Sequence, residues 1–283
     1  MRRVAKASVA LTTIFALLAC ASPRVLTVQE EQQLGNQARA QVKQEFQLLR
    51  DRTTVVYLRQ FGQELVEAAG PSPFKPTFDI VEDEALNAFA VPGGGIYVTT
   101  GTILAVDTLD ELAGVIGHEI GHTTSRHSAK AFPISQRTNF FARLLGFIIS
   151  AATGRRVQRN VGAVLTGIGS TAYFYSHTRE AEREADVLAI ETIYKAGYDP
   201  DGLLTFFERI QKESGGRGIP RFLQSHPLPA ERIQAISKLI EERGEPDKRI
   251  EPNNDKLKLI QARIRRVTGL DEGLDDDLDE GDQ

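Results

Sequence analysis

The stretch His118-Glu119-Ile120-Gly121-His122 limits what this 283-residue chain can become more than any other. Two histidines four apart share one face of a helix, so both imidazoles reach a single ion. Neutral imidazole binds zinc well. The intervening glutamate then sits beside the position the protein leaves open, where it can take a proton from an attacking water. The surroundings suit a helix. Thr108 followed by Glu111 spells a capping box, and Leu112, Val115, Ile116 and Ile120 form an apolar stripe expected to run to about Lys130. Gly114, Gly117 and Gly121 interrupt it, each at up to ~1 kcal/mol relative to alanine. Such a cost implies that another element approaches this helix closely.

Zinc needs a third protein ligand. A third histidine soon after the motif is one solution, but Ser128 stands at the expected place and His127 is one residue off. On a continuous helix His127 points away from His118 and His122, so it reads as a surface or second-layer residue. The helix Arg179-Glu180-Ala181-Glu182-Arg183-Glu184-Ala185-Asp186 is the better source. Glu182 and Asp186 share a face: Glu182 suits the metal, and Asp186 suits a hydrogen bond that fixes a ligating imidazole. Spacing alone leaves open a solvated, salt-bridged helix face. Glu180 and Glu184 lie on other faces. Further on, His226 and Arg232 are six apart and suit polarising a carbonyl, although a helix-start turn with a surface arginine fits the same letters.

Taken together, these motifs resemble the zinc metallopeptidase family of the HtpX heat-shock protease and the CAAX prenyl protease. That family pairs H-E-x-x-H with a later S-R-x-x-E-x-E-A-D. Here Thr178, Arg179, Glu182, Glu184, Ala185 and Asp186 match, with threonine for serine, and His226, Pro227 and Arg232 match H-P-x-x-x-x-R. The resemblance spans roughly residues 28–243. It implies an α+β fold, mostly helical and zincin-like, with a small antiparallel sheet before the active-site helix. It implies one Zn2+ per chain on His118, His122 and Glu182, with Asp186 behind them. It makes Glu119, His226 and Arg232 catalytic, the last two near substrate or the developing oxyanion. The segment Asn87 to Val91, with Pro92-Gly93-Gly94-Gly95, looks like the family's hairpin before the catalytic helix. By that analogy Asn87, Ala88, Phe89, Gly94 and Gly95 hold an extended polypeptide substrate by strand addition. The implied function is a zinc-dependent endopeptidase of the bacterial envelope acting on misfolded or unassembled proteins. The alternative is a non-catalytic, zinc-binding assembly or chaperone lipoprotein. About 40 residues follow Arg243, too few for a repeat domain, so the compact lipoprotein subgroup, a BepA-like peptidase domain without repeats, is the nearest resemblance.

The chain ends add their own signals. Arg2, Arg3 and Lys6 precede a short apolar run that closes on Leu17-Leu18-Ala19-Cys20, resembling a lipobox after a signal peptide. The run is too short to span a bilayer. Cys20, the single cysteine, is expected to carry lipid, and Ala21-Ser22 favours the outer membrane on its periplasmic face. Residues 271–283 hold eight carboxylates and no basic group, a solvated tail. The formal charge of −4 therefore combines a basic leader with an acidic tail around a near-neutral body, and argues against nucleic acid as a partner while leaving room for a local basic patch. Oligomeric state is not encoded legibly. The expected organisation is a signal peptide at 1–19, a lipidated linker at 20–27, the metallopeptidase domain at 28–250, a helix at 251–270 and a disordered acidic tail at 271–283. Helices are expected over Gln29–Arg50, after Asp51, from Arg179 and from about Ala230, with strands at Thr77–Val81, Asn87–Val91 and Ile96–Thr99. Phe132–Tyr175 joins the two metal-binding helices. It reads either as a buried hairpin or as a mobile or membrane-facing element, part of which covers the cleft and restrains activity.

Overall fold

Asp51 starts the helix that packs deepest into the main core among those before the sheet. Its carboxylate accepts the Thr54 amide at 3.0 Å, giving α2 (Arg52–Ala69) its N-cap. The computed structural model describes residues 25–131, 177–213, 221–246 and 249–270. Before α2 lies α1 (Val28–Glu45), closed at its start by a reciprocal capping box between Thr27 and Glu30. Three strands follow, β1 (Thr77–Val81), β2 (Ala88–Val91) and β3 (Gly95–Thr99). The remaining elements are helical: α3 (Thr100–Ala105), α4 (Leu109–Thr124), α5 (Arg179–Ala196), α6 (Asp201–Glu213), α7 (Arg221–Ser225), α8 (Ala230–Arg243) and α9 (Asn254–Thr268). Among the described residues no helix is long and apolar enough to cross a membrane. The leader with Cys20, the segment Phe132–Tyr175 and the acidic tail lie outside the described residues.

The sheet has the order β1-β3-β2. The hairpin of β2 and β3 is antiparallel, as expected, but β1 runs parallel to β3, so the sheet is mixed. The cause is position: the chain leaves β1, skips a place for β2, and returns along β3 in the middle. An up-down-up sequence in that order forces the first and third strands parallel. Strand β3 is buried at every residue. Ile96 and Val98 join the main core with Leu58, Phe61, Leu112, Ile116, Ile190 and Phe206. Tyr97 turns to the opposite face and meets Val42, Val81, Phe89 and Val91 beneath α1. Each fully buried aliphatic side chain of this kind contributes about 1.5–3 kcal/mol.

Helix α4 lies at the centre, and its glycines explain how. A Cβ at Gly114 would fall 2.7 Å from Leu203 Cα on α6, and one at Gly121 2.9 Å from the Ala185 carbonyl oxygen on α5. Both distances are closer than carbon tolerates, so backbone-to-backbone approach requires glycine here. The start of α4 differs in detail from a capping box. Thr108 Oγ1 caps the Glu111 amide, but the Glu111 carboxylate reaches past Thr108 to the Asp107 amide and also binds Arg209. The helix at 251–270, set apart in the sequence reading, shares the common core as α9: Leu257 and Ile264 are fully buried. The Gln261 amide donates to the Ile103 and Val106 carbonyls, and Arg263 makes two bonds to Asp51.

Candidate metal centre

His118, Glu119 and His122 lie on the buried face of α4, against α5. Their spacing turns both imidazoles the same way, and His118 Nε2 and His122 Nε2 stand 3.0 Å apart. Thr178 Oγ1 starts α5 by accepting the Ala181 amide. A hydroxyl there works as threonine or serine, so the departure from the family's letter keeps the cap. One turn later Glu182 projects between the two histidines, 3.4 Å from each Nε2. Asp186 follows on the same face, its Oδ1 3.0 Å from His118 Nδ1. The alternative of a solvated helix face does not hold for these two positions, because Glu182 and Asp186 are both buried.

His226 enters from the turn between α7 and α8. Its amide donates to the Phe222 carbonyl and its ring stacks on Phe222 at 4.7 Å, while the Phe222 amide is anchored to Leu86 before β2. The His226 Nδ1 lies 3.1 Å from Glu182 Oε1 and 3.3 Å from His118 Nε2. The structure thus brings His226 into the donor cluster itself, closer than an oxyanion role alone requires. Its Nε2 lies 3.4 Å from Glu119 Oε1. Arg232 is placed differently from the sequence expectation. Its Nε and Nη2 grip both Asp186 oxygens at 2.8 and 2.7 Å. Its Nη1 meets Glu182 at 2.7 Å and donates to the Pro227 carbonyl. These bonds tie the guanidinium to Asp186, Glu182 and the Pro227 carbonyl, so it holds the site together.

Do these groups fit zinc? His118, His122, Glu182 and His226 each offer one buried donor atom, all within 4.8 Å of one another. Tetrahedral zinc with bonds near 2.0–2.1 Å separates its ligand atoms by about 3.3 Å, and the principal separations here are 3.0–3.4 Å. Charge agrees as well. Glu182 and Asp186, both held ionised, face the single positive charge of Arg232, an acidic balance that suits a cation. Glu119 is fully buried, and its carboxylate faces the Ala90 amide and His226 Nε2, the latter 3.4 Å from Oε1. The residues fit the ion.

Burial governs the protonation of this site. It pushes Glu119 above the usual carboxylate range and holds His122 well below the usual histidine value. For Glu182 and Asp186 burial acts upward but loses. The surrounding histidines hold Glu182 ionised, and hydrogen bonds from His118 and Arg232 do the same for Asp186. His118 is burdened by burial, yet its bonds to Asp186 and Glu182 raise it to about 9. Both Nδ1 and Nε2 of His118 therefore sit in negative surroundings, as a cation site requires.

Two histidines that the sequence reading left aside belong here. His177 lies with its ring stacked on His122 at 3.9 Å, and burial drives its pKa down to about 3. His127 is buried, 2.8 Å from His122 through their Nδ1 atoms. The expectation of a continuous helix fails there: α4 stops at Thr124, and Arg126 adopts φ 56° before a short helical stretch at 127–131. The only letter pointing to that ending is Ser125, the C-cap.

The proposed substrate strand also resolves. Strand β2 is an edge of the sheet. The Asn87 carbonyl accepts the Thr99 amide, so by alternation Phe89 and Val91 also bond inward to β3. Ala88 and Ala90 then turn their main-chain groups to the open side. The Phe89 ring stacks on Tyr97 in the cluster under α1, so it offers no side chain to a ligand. Gly94 sits in the hairpin turn with φ 85°, beside Thr123, the residue after His122. Gly95 faces Arg39 of α1 instead.

Comparison with known proteins agrees with this site. Residues 53–240 match the profile of peptidase family M48. The putative beta-barrel assembly-enhancing protease of Vibrio cholerae is 31% identical over 251 residues, covering 87% of this chain and 51% of that protein. The beta-barrel assembly-enhancing protease of Escherichia coli is 30% identical over 214 residues, 74% of this chain and 43% of the relative. The Escherichia coli metalloprotease LoiP is 32% identical over 151 residues, 53% and 57% respectively. The chain spans about half the length of these curated relatives. With the profile covering the whole path from α2 through the two metal-binding helices to α8, this chain belongs to peptidase family M48.

Proposed function

We propose that this chain is a zinc-dependent endopeptidase that cleaves misfolded or unassembled proteins of the bacterial envelope. The observation carrying the reading is the convergence of His118, His122 and Glu182 at 3.0–3.4 Å beside a fully buried Glu119. A bound zinc ion would supply Lewis acidity, acidifying water and polarising a carbonyl. Glu119 takes the proton of the attacking water and returns it to the leaving amine, and its raised pKa suits a group that must do both near neutral pH. Asp186, clamped by Arg232, orients His118 through Nδ1. His226, next to Glu119, offers a ring nitrogen on the carbonyl side. Substrate in extended form adds to the edge of β2, taking the outward groups of Ala88 and Ala90, with Asn87 and Gly94 at its two ends. Two relatives are named for enhancing β-barrel assembly, which supports unassembled envelope proteins as the substrate class. The lipobox ending at Cys20 supports a lipid anchor at the periplasmic face of the outer membrane, ahead of a peptidase domain over 28–250.

Glu119→Gln tests the catalytic reading. The variant should bind zinc stoichiometrically and lose casein cleavage by about 10²–10⁴-fold, the usual worth of a general base. Cleavage at the wild-type rate would overturn it and favour a zinc-binding assembly lipoprotein. Inside the envelope, the same variant should trap substrates, identified by mass spectrometry.

A further inference from the structure

His127 has no part in the family motif as the sequence presents it, yet its ring is 3% exposed and uses both nitrogens. Its Nε2 lies 3.1 Å from Glu184 Oε2, and its Nδ1 lies 2.8 Å from His122 Nδ1. Glu184 is fixed in turn. Ser125 Oγ donates to its other oxygen at 2.6 Å, and Lys130 stands 3.5 Å away. An ionised carboxylate only accepts, so His127 Nε2 must donate to it. For His122 Nε2 to face a metal with its lone pair, His122 Nδ1 must carry the proton, and His127, donating through Nε2, offers it the lone pair of Nδ1. That tautomer of His122 leaves Nε2 bare, and Nε2 is the atom that faces His118 and Glu182.

We propose that Glu184 and His127 form a positioning relay that holds His122 in its metal-binding tautomer and orientation, as Asp186 with Arg232 does for His118. The inference rests on the zinc reading above. It gives each metal-binding histidine of α4 a carboxylate-backed support, one direct and one through a second imidazole. The local backbone is bent to make this contact. Five residues beyond His122 on an ideal helix, a side chain points about 140° away; the left-handed conformation of Arg126 brings the ring back. Such a conformation costs a non-glycine residue about 1–2 kcal/mol. Arg126 is held in it by Glu31 of α1, itself 2% exposed, at 2.7 Å, and by the Leu26 carbonyl. The relay is therefore braced by the first helix of the fold.

Zinc affinity, measured by competition with a chromophoric chelator, tests the relay without recourse to turnover. His127→Phe keeps an aromatic ring but removes the acceptor; zinc should bind about 10–100-fold more weakly, the usual effect of losing such a support. His127→Asn places an amide oxygen near the former Nδ1 and should return affinity to within a few-fold of wild type. Glu184→Ala should weaken zinc several-fold, whereas Glu184→Gln, which keeps an oxygen to accept from His127 Nε2, should hold affinity near wild type. In 15N-histidine spectra of the wild-type protein, His122 should show its proton on Nδ1. Unchanged zinc affinity in His127→Phe, or equal weakening in His127→Asn, would overturn the relay while leaving the peptidase reading intact. A wild-type protein that binds no zinc would overturn both.

Discussion

Replacing Arg232 with methionine isolates the electrostatics of the buried site. The guanidinium contacts Asp186 at 2.7 and 2.8 Å and Glu182 at 2.7 Å, with the side chain only 2% exposed. Methionine fills comparable volume without the charge, so the cost comes from two buried carboxylates left without their counter-charge. Removing one member of a buried ion pair costs about 3–5 kcal/mol. For a domain of this size each kcal/mol lowers the melting temperature by about 2–4 °C, so the metal-free variant should melt roughly 6–20 °C below metal-free wild type. Zinc brings two positive charges to the same Glu182, so the deficit should shrink markedly in saturating zinc. Acid should narrow it too. Both carboxylates are held below their usual pKa in the folded state, so their contribution is present above about pH 4 and fades as pH falls. Without Arg232 that contribution is already reduced, and the two proteins should converge in acid. The assay is thermal melting by circular dichroism, in chelator and in zinc at pH 7, and in chelator from pH 7 down to about pH 2, where the two proteins should converge. A metal-free difference under about 3 °C, or one that zinc does not reduce, would refute the reasoning.

Gly121→Ala should cost about 1–3 kcal/mol in urea denaturation, because its methyl would lie 2.9 Å from the Ala185 carbonyl oxygen and force α4 from α5; chelator competition should show weaker zinc, since the two helices carry different ligands. Asp51→Ala should cost about 1–2 kcal/mol through loss of the α2 cap, with a smaller share from the half-exposed Arg263. The bond from Arg263 and the Thr54 cap hold Asp51 well below the usual carboxylate range, so this contribution is present above about pH 4 and lost on further acidification. Equal stability of wild type and variant at pH 7 would contradict it.

What the sequence disclosed divides along a physical line. His118, His122, Glu182 and Asp186 were legible because a helix converts spacing into facing, and a helix of strong local propensity with a hydroxyl cap needs little from the rest of the chain. Thr108, Thr178 and Asp51 mark their helix starts for the same reason. The mixed sheet was not legible: the strands themselves were, but which neighbour β1 takes is decided by the path of residues 82–87 and by the core beneath. His127 was misplaced for a sharper reason. Its location depends on one left-handed residue, Arg126, whose cost is met by Glu31, 95 positions earlier. No window of sequence around the motif contains that partner. Arg232 shows the converse. Its presence in the site was legible, but its role was not, since a guanidinium aimed at an oxyanion and one clasped by two carboxylates have the same spelling. Only the distances to Asp186 and Glu182 show that both carboxylates clasp it. Glu119 and His226 face each other across 3.4 Å, and that distance, like the arginine's, appears only when α4 and the turn before α8 are brought together.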